Sequence, residues 1–303
     1  MTEFKRRAVI DLGTNTFHLL IADLKGDQIL EVYRERIFVK LAEDGIETLG
    51  ANPFRRGLNA LVHFAGKLKE HDCDEVTAFG TAALRTASNG NEFVKAAQEE
   101  AGINIQLIPG DEEARLITKG VLAAIPALEE RVLIMDIGGG STEFIIADDS
   151  GVYFRESYPI GVSVLYNGFH HSNPITWEET VTLQEHLRNI TATLQEALIK
   201  HPTHHLVGAA GTFDVLATVL QDHSVAAHPT SHQLELSGLK GLQTTIIKAT
   251  LQERLAMPGI PEQRADMVVV AMILLDFIIQ IAGIQQITVS DWAMKEGILL
   301  DQA

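Results

Sequence analysis

Two similar α/β units in one chain are predicted by three observations: an internal repeat, glycine-bearing turns at the ends of apolar runs, and a length beyond one ordinary core. The chain has 303 residues, and single cores stop growing near that size, so two domains are expected. The repeat emerges at a shift of 125 residues: Val9 falls on Ile134, Asp11 on Asp136, Gly13 on Gly138 and Thr16 on Ser141. Further on, Ile21-Ala22-Asp23 falls on Ile146-Ala147-Asp148, the same three residues. Each copy reads as a strand, a small-residue turn and a returning strand, the pattern of a hairpin. The units are placed at 1–128 and 129–291, with a C-terminal helix at about 292–303 expected to pack back on the first.

Between the copies, Leu58, Leu61, Val62, Ala65 and Leu68 keep helical spacing, which predicts an amphipathic helix over 54–70. Val76–Phe79 is a short strand ending at Gly80, and Thr81–Asn89 a helical turn. Glu92–Ala101 is a helix stopped by Gly102. Ile103–Ile108 is a strand, and Pro109-Gly110 turns the chain into a helix over 111–125, whose acidic start suits the positive end of its dipole. Pro126 and Glu129–Arg131 mark the boundary.

The second copy, Val132–Phe144, is a buried strand that runs into Gly138-Gly139-Gly140-Ser141. Val152–Tyr158 follows as a strand. Thr176 with Glu179 has capping-box spacing and opens a helix to about Lys200. Leu206–Thr212 is a strand ending in small residues before a helix over 213–220. Helices over 237–256 and 262–282, a strand at Ile287–Ser290 and a helix over 292–300 complete the chain.

Composition narrows the function classes. The net charge is −16, with 24 basic against 40 acidic residues. A nucleic-acid backbone binder needs a basic face, so that class is set aside. A polyanionic ligand would have to be held by local donors, a few cations and metal ions against the average field. The single Cys73 suits a reducing compartment, and the charged start Met1–Arg7 shows no signal peptide. The longest apolar run, Met267–Leu275, is too short to span a bilayer and reads as a core helix. A cytoplasmic protein without a membrane or nucleic-acid partner is expected.

A glycine turn after a buried strand brings backbone N–H groups close to a visiting anion, most often a phosphate. Three such turns stand at strand ends: Asp11–Thr16, Asp136–Thr142 and Gly208–Thr212. Paired phosphate loops in duplicated halves, with a third loop before a helix, resemble the actin-like (ribonuclease H-like) superfamily of sugar kinases, chaperones and actin. That likeness implies an interdomain cleft holding a phosphate chain.

The ordered motifs are more specific. Asp11-Leu-Gly-Thr-Asn-Thr-Phe-His, Gly80-Thr-Ala-Ala-Leu-Arg85-Thr-Ala-Ser-Asn89, Pro109-Gly-Asp-Glu-Glu113-Ala-Arg, Asp136-Ile-Gly-Gly-Gly-Ser-Thr-Glu143 and Arg264-Ala-Asp266 occur in that order. Together they resemble the exopolyphosphatase/guanosine pentaphosphate phosphohydrolase (Ppx/GppA) family over about residues 8–298. The chain looks like the short form, without the C-terminal HD-type domain of longer members.

The resemblance implies hydrolysis of the terminal phosphate of inorganic polyphosphate, or of the 5′ γ-phosphate of guanosine pentaphosphate, with Mg²⁺ or Mn²⁺. It places Glu113 as the catalytic carboxylate that orients and deprotonates water, with Glu112 as the neighbour most easily mistaken for it. Arg85 is expected on phosphate, with Asn89 beside it if the segment is helical. Gly13, Thr14, Asn15, Gly138, Gly139, Gly140, Ser141, Gly208, Gly211 and Thr212 are the remaining substrate contacts. Asp136 and Glu143 are the Mg²⁺ candidates, as hard carboxylate ligands, and Asp11 a weaker third. A homodimer is the family's common state. A non-catalytic polyphosphate or alarmone sensor and an actin-like kinase are the readings from other classes.

Other features have plainer explanations. His201, His204 and His205 fall in a helix-to-strand loop, and His170-His171 reads as surface. Two departures stand out: no Arg follows Pro159-Ile-Gly161, where Val-Ser-Val-Leu-Tyr166 stands instead, and Val270-Ala271 replaces a glycine common after Arg264-Ala-Asp266.

Overall fold

The computed structural model describes residues 4–26, 28–209, 211–220 and 224–301, with 224–228 described by backbone alone. Ala210 in the predicted third turn, Met1–Glu3, and Gln302 and Ala303 of the expected last helix lie outside the described residues. By its contacts the chain divides into Met1–Gly120 with Met294–Ala303, and Val121–Ala293.

The first unit opens with β1 (Lys5–Leu12), β2 (Thr16–Lys25) and β3 (Gln28–Phe38). Then come α1 (Ala51–Glu70), β4 (Val76–Gly80), α2 (Ala82–Thr86), α3 (Gly90–Ala101), β5 (Ile105–Leu107) and α4 (Gly110–Ala124), within which the division falls. Leu58, Leu61 and Leu68 turn inward on α1 as their spacing predicts, joined by Phe64, whereas Val62 of the expected face is exposed. Gly102, at φ 69, ends α3 in the left-handed conformation. The sheet runs β3-β2-β1-β4-β5, antiparallel across the hairpins and parallel from β1 to β5.

The second unit carries β6 (Val132–Ile137), β7 (Thr142–Asp148), β8 (Gly151–Tyr158), α5 (Val162–Phe169), α6 (Trp177–Ile190), α7 (Ala192–Lys200), β9 (His205–Ala209) and α8 (Gly211–Val219). There follow β10 (Ser224–His228), β11 (Ser231–Leu234), α9 (Leu236–Lys248), α10 (Leu251–Leu255), a 3-10 turn Glu262–Arg264, α11 (Val268–Ala282) and β12 (Gln286–Ser290). The last helix, α12 (Met294–Asp301), belongs with the first unit. All six residues of β6 are buried, as expected of a central strand. Met267–Leu275 is core.

The sheet order β10-β11-β12-β9-β6-β7-β8 contains the whole first sheet again. Read from the hairpin edge, β8-β7-β6-β9-β12 repeats β3-β2-β1-β4-β5 with the same directions. Even the irregularity recurs. The β2–β3 register shifts between Ile21 and Ala22, and the β7–β8 register between Ile146 and Ala147. The repeated Ile-Ala-Asp therefore marks the same bulge in both units.

Several expected elements differ in extent. The helix expected over 176–200 breaks at Thr191, whose buried hydroxyl donates to the Leu187 carbonyl at 2.7 Å. The helix expected over 237–256 is interrupted before Thr250, where a capping box with Glu253 starts α10 afresh. Strands β3, β10 and β11 and helix α5 were not expected. No residue of β3 is fully buried, so no apolar alternation announces it.

Candidate active site

The equivalent turns of the two units are built alike. Gly13 N–H donates to the Thr16 carbonyl at 3.2 Å, and Gly138 N–H to the Ser141 carbonyl at 3.0 Å. A Cβ on Gly13 would stand 3.0 Å from that carbonyl oxygen, and one on Gly138 2.9 Å. The chain beyond the third strand then braces each turn. Val39 and Lys40 N–H donate to the Asn15 carbonyl at 2.8 and 3.0 Å, and Leu41 N–H to the Thr14 carbonyl at 2.7 Å. At the second turn, Val162 and Ser163, the first residues of α5, donate to the carbonyls of Gly138 and Gly139 at 2.9 and 2.8 Å. Holding the carbonyls from behind is how a turn is made to present N–H dipoles to an anion. The Thr14 hydroxyl, in a side chain only 2% exposed, has no partner among the described protein groups, so it suits a ligand or water oxygen.

In the first unit the parallel strands end together. Leu12 pairs with Gly80, Gly80 with Leu107, and Ile108 N–H donates to the Gly80 carbonyl at 3.1 Å. The carboxyl ends of parallel strands are the usual ligand position in α/β sheets. Helices α2 and α4 start there and carry Arg85 and Glu113. Arg85 Nη1 donates to the Ile108 carbonyl at 2.6 Å and to Glu113 Oε2 at 3.3 Å. Glu113 is 8% exposed. Glu112, its neighbour, takes both forks of Arg115 at 2.8 Å, and Arg115 reaches on to Asp301 at the end of α12. The two adjacent glutamates are thus separated by environment: Glu112 is in a surface ion-pair chain, and Glu113 is buried against Arg85.

Asn89 does not share a helical face with Arg85. Helix α2 ends at Thr86, and Ala87 is extended at φ −62, ψ 132. The Asn89 side chain instead accepts from Leu49 N–H and donates to the Leu49 carbonyl, both at 2.9 Å. In this structure it ties the start of α3 to the segment before α1.

Asp11 sits on β1 just before its turn. Burial pushes its carboxyl up to about 6; the Lys295 ammonium works against this rise and Glu296 adds to it. In the second unit Asp136 and Glu143 are directly opposed in the antiparallel register of β6 and β7. Opposed residues share a face of the sheet. They are 7% and 1% exposed. Glu143 Oε1 accepts the hydroxyls of Ser141 and Ser157, each at 2.6 Å. Mg²⁺ is commonly held by one or two carboxylates, with waters and substrate phosphates completing the shell. An opposed buried pair of carboxylates fits that donor set.

The third turn is built differently from the other two. Gly208 lies inside β9, paired with Met135 on one side and Val289 on the other. A Cβ there would run into the Phe213 ring, so packing of α8 explains this glycine. Gly211 and Thr212 begin α8, and a Cβ on Gly211 would meet the Arg264 guanidinium. Asp136 pairs with Ala209, which brings this turn beside the aspartate. Thr212 is 8% exposed.

Sequence reasoning missed three parts of the site. Ser157 anchors Glu143 across a strand pair, and no local signal gives that pairing. Helix α5 braces the glycine turn, yet its sequence lacks a polar cap. Arg264 over Gly211 had a signal, the Arg264-Ala-Asp266 motif, but no position. One surface expectation is corrected: His170 is 7% exposed, packed edge-on against Tyr166 with ring centres 5.0 Å apart. The other loop histidines serve the fold, His204 Nδ1 at 3.0 Å from the Gly283 carbonyl and His205 Nε2 at 2.8 Å from the Thr288 hydroxyl. Among the described residues no helix is long and apolar enough to cross a membrane.

Duplicated mixed sheets, each opening on a hairpin with a small-residue turn, define an actin-like α/β protein, a fold shared with the crystal structure of the Aquifex aeolicus Ppx/GppA family member. That structure is 24% identical, covers 99% of this chain and 97% of its own, and superposes with a TM-score of 0.79. The chain belongs to the Ppx/GppA phosphatase family, whose sequence model matches residues 20–303, and it is a hydrolase of that family. An exopolyphosphatase from Cytophaga hutchinsonii is 36% identical, with 99% of both chains covered and a TM-score of 0.93. A Haemophilus influenzae protein called "Putative exopolyphosphatase" is 31% identical over 300 residues, 96% of this chain and 90% of the relative.

Proposed function

We propose that the enzyme is an exopolyphosphatase that releases the terminal phosphate of inorganic polyphosphate with Mg²⁺, using Glu113 to orient and deprotonate the attacking water. The observation that carries this reading is the separation of the two glutamates: Glu113 is buried beside Arg85, while Glu112 is spent on Arg115. The names of the relatives from C. hutchinsonii and H. influenzae support polyphosphate as substrate.

Phosphoryl transfer asks a protein mainly for positioning and for neutralisation of charge on the phosphoryl oxygens. The braced turns at Gly13–Asn15 and Gly138–Ser141 hold phosphate oxygens through N–H groups and the Thr14 and Ser141 hydroxyls. Arg85 holds a further oxygen next to Glu113, which sets the water in line and takes its proton. Asp136 with Glu143 would hold Mg²⁺, and Asp11 is the further carboxylate candidate on the first unit; the ion would supply the positive charge that a polyanion needs on a protein of net charge −16. Gly211 and Thr212 contribute from the third turn. We place the enzyme in the cytoplasm as a homodimer; light scattering on the purified chain checks the dimer.

The test is phosphate release with Mg²⁺ from long-chain polyphosphate, guanosine pentaphosphate and ATP, with wild type beside Glu113→Gln. Release from polyphosphate that the variant loses supports the reading. Preference for guanosine pentaphosphate moves the substrate to the alarmone, and tight binding without release from any of the three makes the protein a sensor. Full activity in the variant removes Glu113 as the base.

A further inference from the structure

Arg254, on α10, is the bulkiest of the fully buried side chains, 1% exposed. Placing a guanidinium inside a protein is costly unless its donors are met, and breaking such a contact leaves a buried charge uncompensated. Two of its five N–H donors go to backbone carbonyls, Nε to Ala265 at 2.6 Å and Nη1 to Ala249 at 2.5 Å. Burial lowers its pKa, while Tyr166 and Asp266 favour its charged form.

The segment Arg254 grips leads to both small-residue turns of the second unit. Arg264, one residue before Ala265, lays its guanidinium over Gly211 at the start of α8. Two residues after Ala265, the Met267 sulfur lies 3.5 Å from the Ser163 hydroxyl, which donates to it. Ser163 N–H in turn donates to the Gly139 carbonyl at 2.8 Å. Asp266 Oδ1 accepts from Met267 N–H at 2.9 Å and shapes the bend between these contacts. A short strap, residues 264–267, therefore touches the Gly211 turn at one end and the brace of the Gly138–Ser141 turn at the other. Its middle carbonyl is fixed by one buried arginine.

We infer that Arg254 is a positioning residue, which holds the strap at Ala265 and through it the two phosphate-binding turns of the second unit. This rests on the reading of those turns as phosphate-holding. Arg254 touches no substrate in this account. Its effect is on where the turn N–H groups stand, so its loss weakens substrate binding more than the proton transfer at Glu113 in the other unit.

Amide hydrogen exchange and steady-state kinetics on the full chain test it together, comparing wild type, Arg254→Met and Arg254→Lys. In Arg254→Met, exchange in peptides covering 138–141 and 211–213 is expected to speed up roughly tenfold, with 11–16 in the first unit unchanged. The KM for polyphosphate is expected to rise about tenfold with kcat held within about threefold, and Arg254→Lys to recover part of both. Ser163→Ala, which removes the contact between strap and brace, carries the same exchange test if Arg254→Met fails to fold; faster exchange at 138–141 supports the proposal and unchanged exchange overturns it. A lower melting temperature with unaltered turn exchange and KM overturns it, because a merely structural arginine gives that result. If the wild type releases no phosphate, the exchange pattern alone decides the role of Arg254, and the phosphatase reading fails separately.

Discussion

The two hairpin turns share a backbone and differ in cargo. Gly13→Thr16 and Gly138→Ser141 close with the same hydrogen bond, follow the same strand order and precede the same bulge. Around the first turn stand a buried glutamate and an arginine, brought by helices α4 and α2 from the neighbouring strand ends. Around the second stand three glycines and a carboxylate pair on the hairpin itself. Duplication supplied one scaffold twice, and the residues at matching ends diverged; in the proposed function the first unit activates water and the second holds metal and phosphate. The candidate residues are also drawn from different ranges: Arg85 and Glu113 come from helices outside the first hairpin, whereas Asp136 and Glu143 lie on the second hairpin itself.

Removing the proposed base is the hardest test of that division. Glu113→Gln is expected to lower kcat for phosphate release by roughly 10²–10⁴-fold, with the melting temperature close to wild type. Glu112→Gln, which only loosens the Arg115–Asp301 chain, is expected to stay within about threefold, as exposed ion pairs contribute little. Equal losses from both variants would dissolve the distinction between the two glutamates.

The second unit is probed through its carboxylates. Asp136→Asn is expected to raise the Mg²⁺ concentration for half-maximal activity by about 10–100-fold, read from a metal titration at saturating substrate. Ser157→Ala keeps the carboxylates but takes one hydroxyl from Glu143, which is 1% exposed. That variant should be destabilised by about 1–3 kcal/mol in urea unfolding, with a smaller rise in Mg²⁺ requirement. If Ser157→Ala shifts the metal titration as far as Asp136→Asn, Glu143 rather than Asp136 is the main ligand.

What was legible in the chain follows from the range of the signals. The hairpins and the buried run of β6 are local, and so is the capping box at Thr176; the box at Thr250 is equally local, yet the helix expected over 237–256 runs through it. Motif resemblance singled out Glu113 and Arg85, whose side chains the structure places 3.3 Å apart. Contacts between distant segments were not legible. The Leu49 backbone that engages Asn89 lies 40 residues away in sequence, and the Phe213 ring that explains Gly208 depends on how α8 folds back on β9. A glycine in a strand-to-helix corner reads the same whether a phosphate or an aromatic ring requires it.

That ambiguity gives a smaller test. Gly208→Ala is expected to cost about 1–3 kcal/mol through overpacking against Phe213, with kcat and KM per folded molecule close to wild type. Gly138→Ala has the opposite signature. Its Cβ would meet the Ser141 carbonyl at 2.9 Å in the turn itself, so KM should rise more than stability falls. Similar kinetic losses from both would return Gly208 to the phosphate site.

The least expected effect concerns acid, and it also compares the units. In the first, Asp301 is held well below the usual carboxylate range by Arg115 and Lys119. In the second, Glu179 is lowered to about 2: burial raises its pKa, but hydrogen bonds from Ser172, Thr176 and the His171 backbone outweigh that rise. A carboxyl with a depressed folded pKa stabilises the fold fully above its unfolded value of about 4. That contribution is lost as pH falls through the folded value. Asp301→Asn and Glu179→Gln should therefore each lower the melting temperature at pH 7, and the gap from wild type should close as pH drops from about 4.5 towards 2. Parallel melting curves for wild type and either variant across that range would mean the hydrogen bonds around that carboxylate contribute nothing to its unit.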